Sequence, residues 1–471
     1  MPDNSKIEGA AAPHTAEQHE NQMGAKLSER ASSNSNSASG HLVYQNADNG
    51  PALYQHTFFS SDPAVTVARR MYLKFLAVGM VASTFVIFGI FPILYGSFYK
   101  TPARSLPGWI VDFDGGVVGQ AVTTGLSAPN PLSFVTWSVM PASQFPGGVD
   151  EVVNQVLDYK TWIAVTVNPG ASSRLTAALA SPNASYDGSQ AISVYGVEAR
   201  NQAAFDGILL PSTQLGLTLV STQFATQSAR MMSNSSDVPQ LLSTSPQTLV
   251  TPIYFKIFNL RPFDQPVATV VVFVGLLFVL ILSFFIVLIG FAAREKTNIR
   301  RLLTYRSLVQ LRLATSFFAY FILSLFDSLL ALAFTLNVNK KFGHAGFMVF
   351  WMVNFLGMCT MGLAMEGPLS LLGPPSLPFF FLIWIMANVA VCVSPIEVLP
   401  IIYRYGYGMP FYAITVACRT IIFDTKNTLG LQFGILIAWT VFCALTAVLF
   451  GYIRRRRDIK ETRREAEAKV E

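Results

Sequence analysis

Charge is scarce in this sequence. Only 13% of its 471 residues are Asp, Glu, Lys or Arg, while 52% are hydrophobic; an ordinary soluble domain carries roughly 25% charge. A water-soluble fold of that composition would expose more apolar surface than it could hide. Cysteine is also rare. The four residues, Cys359, Cys392, Cys418 and Cys443, all lie in the apolar C-terminal half, so the polar stretch over residues 96–265 must fold without disulfides. Five histidines are scattered and no CxxC or His/Cys cluster occurs, which gives no reason to expect a metal or cofactor. No Gly-Lys pair exists anywhere, so the P-loop motif is excluded, and any ATP drive would have to come from a separate energising subunit.

Long uncharged runs are what the sequence has instead. A helix of roughly 20 apolar residues spans a bilayer and satisfies its own backbone there, which water cannot do in hydrocarbon. The pattern predicts an α-helical polytopic membrane protein with about six transmembrane helices: Phe75–Tyr95, Val267–Ala293, Leu313–Leu336, Ala345–Met365, Leu377–Ile396 and Leu431–Ile453. Arg69, Arg70 and Lys74 precede the first span. Six basic residues against Glu295 fill the loop 294–312, and Arg454 to Arg457 follow the last span. Positive flanks face the cytoplasm, so both termini and that loop are expected inside, in the plasma membrane or an endomembrane. Net charge is +6, but the basic residues sit beside apolar runs and read as topology signals; nucleic acid is not an expected partner. Membrane lipids are, because the basic tail 454–471 could touch anionic headgroups. Residues 1–70 are rich in Ser, Asn, Ala and Gly and are expected to form a disordered cytoplasmic tail. Without a cleavable signal peptide at Met1, the first span should act as an uncleaved anchor.

Residues 96–265 are then extracytoplasmic. Strand-like runs (Trp109–Val111, Trp162–Val167, Ile192–Tyr195) alternate with a helical pattern at Val149, Val152, Val153, Val156 and Leu157, which predicts an α+β or α/β domain inserted after the first helix. It carries both N-glycosylation sequons of the chain, at Asn183 and Asn234, in agreement with an outer location.

Few residues could carry chemistry. Asp112 and Asp114 in VDFDGG resemble the paired aspartates of haloacid-dehalogenase-like phosphotransfer enzymes, but Gly116 stands where Thr or Val is usual. A strand ending in an Asx/Gly turn fits better, and no catalytic residues are expected. Asp327 falls near the middle of the third span. A carboxylate there costs a few kcal/mol, so it should serve a proton relay, form a polar wall to a substrate path, or hydrogen-bond between helices, for example to Asn354. Glu366 reads as an interfacial residue. Residues 397–430 hold an apolar stretch too short to cross, interrupted by Arg419, which reads as a re-entrant or interfacial outer segment. Arg404, Tyr405, Gly406, Tyr407, Gly408, Pro410 and Arg419 make it the expected outer gate, with Glu397 or Asp424 as partner for Arg419.

The VDFDGG segment, the VGLLFVLILSFF span, LPIIYRYGYGMPFY and ACRTIIFDTKNTLGLQFGILIAW resemble the fungal nitrosoguanidine-resistance membrane proteins over about Ala64 to Arg457. These in turn are similar, more distantly, to the permease subunits of type-2 ABC exporters. The resemblance implies a drug-resistance role by export or by lipid redistribution, and by analogy a homodimer. The alternative is a non-transporting membrane organiser whose outer domain binds a partner or cell-wall component.

Overall fold

The computed structural model describes residues 56–233 and 238–468. Most of the expected N-terminal tail, and the sequon asparagine Asn234, lie outside the described residues. The described residues divide between two units, one up to Ala77 and one from Val78. In the first, Asp62 accepts a hydrogen bond from the Ala64 amide (2.8 Å) and so caps the start of helix α1, Pro63–Phe98.

The second unit holds a five-stranded sheet: β1 Leu106–Asp112, β2 Val135–Met140, β3 Ile163–Val167, β4 Ile192–Gly196 and β5 Phe255–Asn259, in the order β2-β1-β3-β4-β5. β1 runs parallel to both β2 and β3, β4 is antiparallel to β3, and β5 is parallel to β4. The intervening helices α2 Val117–Ser127 and α3 Val149–Leu157 supply the crossovers that the parallel strands β1, β2 and β3 require, and α4 Ala171–Ala180 joins β3 to its antiparallel neighbour β4. Side chains alternate across the sheet with period two. Leu106, Ile110, Ile163, Val165 and Val167 pack with Val118, Val122 and Leu175 on one face. Val111 and Ala164 pack with Val152 and Val156 on the other. Buried on both faces, β3 (IAVTV) is apolar at every position but Thr166.

Helix α5, Gln202–Met232, is long and apolar enough to count as one of six candidate spans. Its Leu209, Leu217 and Val220, however, are buried in the core of the sheet, which accounts for its apolar face without lipid. The helical half comprises α6 Val270–Lys296, α7 Tyr305–Ala333, α8 Asn339–Leu372, α9 Leu377–Val389, α10 Pro410–Phe423 and α11 Leu429–Glu467. α8 is the bundle's central element and packs against α6, α7, α10 and α11. Gly362 lets α7 come close: a Cβ there would overlap the hydroxyl of fully buried Tyr320, the small-residue approach typical of membrane helices.

Two segments depart from expectation. Helix α9 covers 13 residues, about 20 Å at 1.5 Å per residue, where a longer span was expected; the chain turns at Ala390 before Pro395. α10, 14 residues long, has nearly all its side chains buried. Protein therefore covers a helix that could not cross hydrocarbon alone.

Candidate functional site

Helix α6 leaves the sheet domain and ends at Lys296, while α11 starts at Leu429 and carries Arg454 to Arg457 toward its far end. The helical half thus has a sheet-domain end and a basic end, and polar clusters occur at both and between them.

At the sheet-domain end a cavity of about 250 Å³ lies between Tyr159 and Trp162 of the sheet domain and Tyr407, Tyr412, Arg419 and Gln432 of the helical half. Its organiser is Arg200. The guanidinium carbon sits 3.5 Å from the Trp162 ring centroid and 4.4 Å from that of Tyr159, and Arg200 reaches Glu397 at 3.8 Å. Burial pulls the Arg200 pKa down to about 10, opposed by the Glu397 carboxylate. Burial also raises the Tyr159 phenol, opposed by its hydrogen bond to Thr425.

Arg419 does not pair with Glu397 or Asp424. It donates to the Arg200 carbonyl at 2.5 Å. Glu397 is held by Arg200, and Asp424 by Arg261 (2.8 Å) and Lys341 (2.5 Å). Those competitors lie far away in sequence, so counting neighbours of Arg419 could not reveal them. Arg419 Nε and Gln432 Oε1 are both buried without a hydrogen-bond partner among the described residues. Such atoms are costly unless a water or ligand meets them.

Of the residues expected at the gate, Tyr407 and Arg419 line this cavity, whereas Arg404, Tyr405, Gly406, Gly408 and Pro410 do not. Tyr405 donates to the Ala387 carbonyl (3.0 Å) and Trp439 to that of Gly408 (2.6 Å). Gly406 is buried with Val391 so close that a Cβ would lie 2.6 Å from it, and Pro410 starts α10. These five shape the segment that carries the cavity wall. Arg200, Trp162 and Gln432 were not singled out from sequence; only the fold brings the sheet domain over α10.

Between the ends, Asn354 donates to Ser328 at 2.9 Å and to Asp327 at 3.5 Å. At the basic end, Glu366 is buried between Arg294 (3.3 Å) and Arg312, both of which it binds. The expectation of a simple interfacial glutamate is corrected here. α6, α7 and α8 end or begin at one level, which converts three flank residues into a buried ion triad. Asp112 accepts from the amides of Asp114 (2.9 Å) and Gly115 (3.0 Å), and Asp114 from that of Ser172 (2.9 Å). Asn183 is exposed, and its side-chain oxygen accepts from the Ser185 amide at 2.9 Å.

Long apolar helices around a buried polar interior define a multi-pass integral membrane protein. The chain belongs to the family described as "Protein of unknown function (DUF3533)", matched over residues 80–445. Among curated proteins it is similar to the "Uncharacterized endoplasmic reticulum membrane protein YJR015W" of Saccharomyces cerevisiae, at 28% identity over 314 residues. That stretch is 64% of this chain and 60% of the yeast protein, so the match spans less than two thirds of either. No solved structure matches.

Proposed function

We propose that the protein is a permease-like membrane protein that contributes to resistance to toxic small molecules, by export or by lipid redistribution, with the cavity at the sheet-domain end as its outward-facing site. One observation carries this reading: Arg419 Nε and Gln432 Oε1 are buried and, among the described residues, unpartnered in a cavity walled by aromatic rings. A donor and an acceptor between aromatic faces suit a small planar molecule with polar edges. The likeness to nitrosoguanidine-resistance proteins supports that class. Positive flanks support placing the basic end in the cytoplasm and the sheet domain, with its sequons, outside. Asp327 with Asn354 offers a proton-coupling position; a nucleotide-binding subunit or a second copy of the chain are the partners that resemblance to type-2 exporters suggests. No catalytic role is assigned to Asp112 or Asp114, each of which accepts from backbone amides at its helix-start turn.

The test is reconstitution of the full chain into vesicles, following movement of nitrosoguanidine and of a fluorescent phospholipid. Movement should require the protein and fall several-fold in Arg419→Gln and in Gln432→Leu. Binding to the protein without any movement would favour the non-transporting organiser instead.

A further inference from the structure

The larger cavity lies at the opposite, basic end. It encloses about 700 Å³ between the C-terminal turn of α6, the start of α7, the end of α8 and the extension of α11 beyond Gly451. Seven arginines line it against three carboxylates, Glu295, Asp458 and Glu461. Arg294 and Arg312 share the one carboxylate of Glu366, and Arg300 is paired with Glu295 (3.0 Å) and Asp458 (3.2 Å). Arg301, Arg454, Arg455 and Arg463 have no carboxylate within salt-bridge distance among the described residues. Two of these are fixed from behind: Arg454 donates to the Ser370 carbonyl (3.4 Å) and Arg455 to that of Leu303 (3.2 Å). The deeper wall is apolar, formed by Phe291, Leu308, Val309 and Leu369.

Four guanidiniums without a carboxylate in salt-bridge distance line one cavity in which Glu461 is the single lining carboxylate not already paired, an excess of positive charge that calls for a ligand bearing more than one negative charge. Arginine's planar fork matches phosphate oxygens in pairs. The apolar wall belongs to the candidate membrane spans α6, α7 and α8, and basic pockets between transmembrane helices are suited to phospholipid headgroups. We propose that this cavity is a binding site for a phosphomonoester anion, supplied by an anionic membrane phospholipid whose phosphate meets Arg301, Arg454, Arg455 and Arg463 while its chains leave along α6 and α7. The inference is independent of what the other cavity takes, because binding here needs no transport.

The experiment measures binding to the purified full chain in detergent, using dioctanoyl phosphatidic acid, glycerol 3-phosphate and dioctanoyl phosphatidylcholine as probes. Arg301 and Arg463 are exposed at the rim, so R301Q/R463Q should fold; thermal melting checks that. The control R456Q/R457Q removes equal charge from positions that do not line the cavity. Saturable binding of phosphatidic acid, weakened about tenfold or more in R301Q/R463Q and about threefold or less in R456Q/R457Q, is the expected result, since charge-assisted hydrogen bonds exceed screened surface attraction. Glycerol 3-phosphate binding as tightly, with the same variant pattern, would keep the phosphate site and reassign its source to a soluble ester. Absence of saturable binding by either phosphate probe, equal binding of phosphatidylcholine, or equal losses in the two double variants would overturn the proposal.

Discussion

Arg200 and Trp162 are stacked, guanidinium carbon to ring centroid 3.5 Å, and this contact sits where the sheet domain meets the helical half. Asn201 donates to Val393 (3.4 Å) and Lys426 to Asp158 (2.8 Å) across the same junction. A desolvated cation–π contact is worth about 2 kcal/mol, so Trp162→Leu should lower stability by about that much.

Replacing Arg200 with Lys adds a pH signature. The wild-type guanidinium has its pKa pulled down to about 10 by burial, below its unfolded value. The burial penalty is therefore fully present at neutral pH and is relieved only as pH climbs through and above about 10. A lysine starts from about 10.4 in the unfolded chain, and the same burial would bring its folded value closer to neutrality. The unfolded state then binds more protons within the working range, so stability should rise with pH. Melting temperatures of Arg200→Lys in detergent should climb across the alkaline range while wild type stays flat; parallel curves would show that this site is wetter than its packing.

Glu366 holds two arginines at once. Its side chain is 3% exposed and those of Arg294 and Arg312 are 12% exposed, so its removal leaves two nearly buried positive charges together. Glu366→Ala should cost about 3–5 kcal/mol, the range for stripping one member from a buried ion pair. Converting the whole triad to Leu and Met should recover most of that loss, because apolar packing replaces three desolvated charges. Detergent thermal unfolding of the single and triple variants separates the two: a triple variant as unstable as Glu366→Ala would contradict the charge argument.

Membrane character was legible in the sequence because hydrocarbon imposes one rule, about 20 uncharged residues per crossing, and Val267–Ala293 obeys it openly. The sheet's core strand was legible for a related reason: β3 needs apolar residues on both faces, and Trp162–Val167 shows them. The pairings were not. Arg419 finds a carbonyl of Arg200, 219 positions away, and no local pattern encodes such a partner. α5 was hidden because its apolar stripe serves the sheet core through Leu209, Leu217 and Val220. Glu366 was misjudged because one interfacial glutamate looks the same in sequence whether it faces water or two arginines on neighbouring helices.

Asp114 and Ser172 fasten two helix starts reciprocally. Asp114 accepts from the Ser172 amide in the first turn of α4 (2.9 Å), and Ser172 Oγ accepts from the Val118 amide in the first turn of α2 (3.0 Å). Each bond satisfies an amide that its own helix cannot. Asp114→Ala should thus destabilise the chain by about 1–2 kcal/mol, the range for a lost N-cap, with Ser172→Ala similar and the double variant less than additive. Urea unfolding of the four proteins gives the coupling. A phosphatase activity that vanished in Asp112→Asn would instead assign this aspartate pair to chemistry.

Asp327 separates a mechanistic carboxylate from a structural one. Asn354 donates chiefly to Ser328 at 2.9 Å and only at 3.5 Å to Asp327, so the asparagine keeps its better partner when the charge is removed. Asp327→Asn should leave folding and abundance unchanged, because an amide oxygen can accept the same long bond. Asp327→Leu should also be tolerated within about 1 kcal/mol, since the bond lost is weak and an apolar side chain suits that depth. With stability held constant, resistance becomes the informative readout. Resistance that falls in both variants would assign the carboxylate to proton movement, whereas a loss confined to Asp327→Leu points to a polar wall that an amide can replace. If neither variant alters resistance or flux, Asp327 belongs to helix packing alone, and coupling must be sought in a separate subunit.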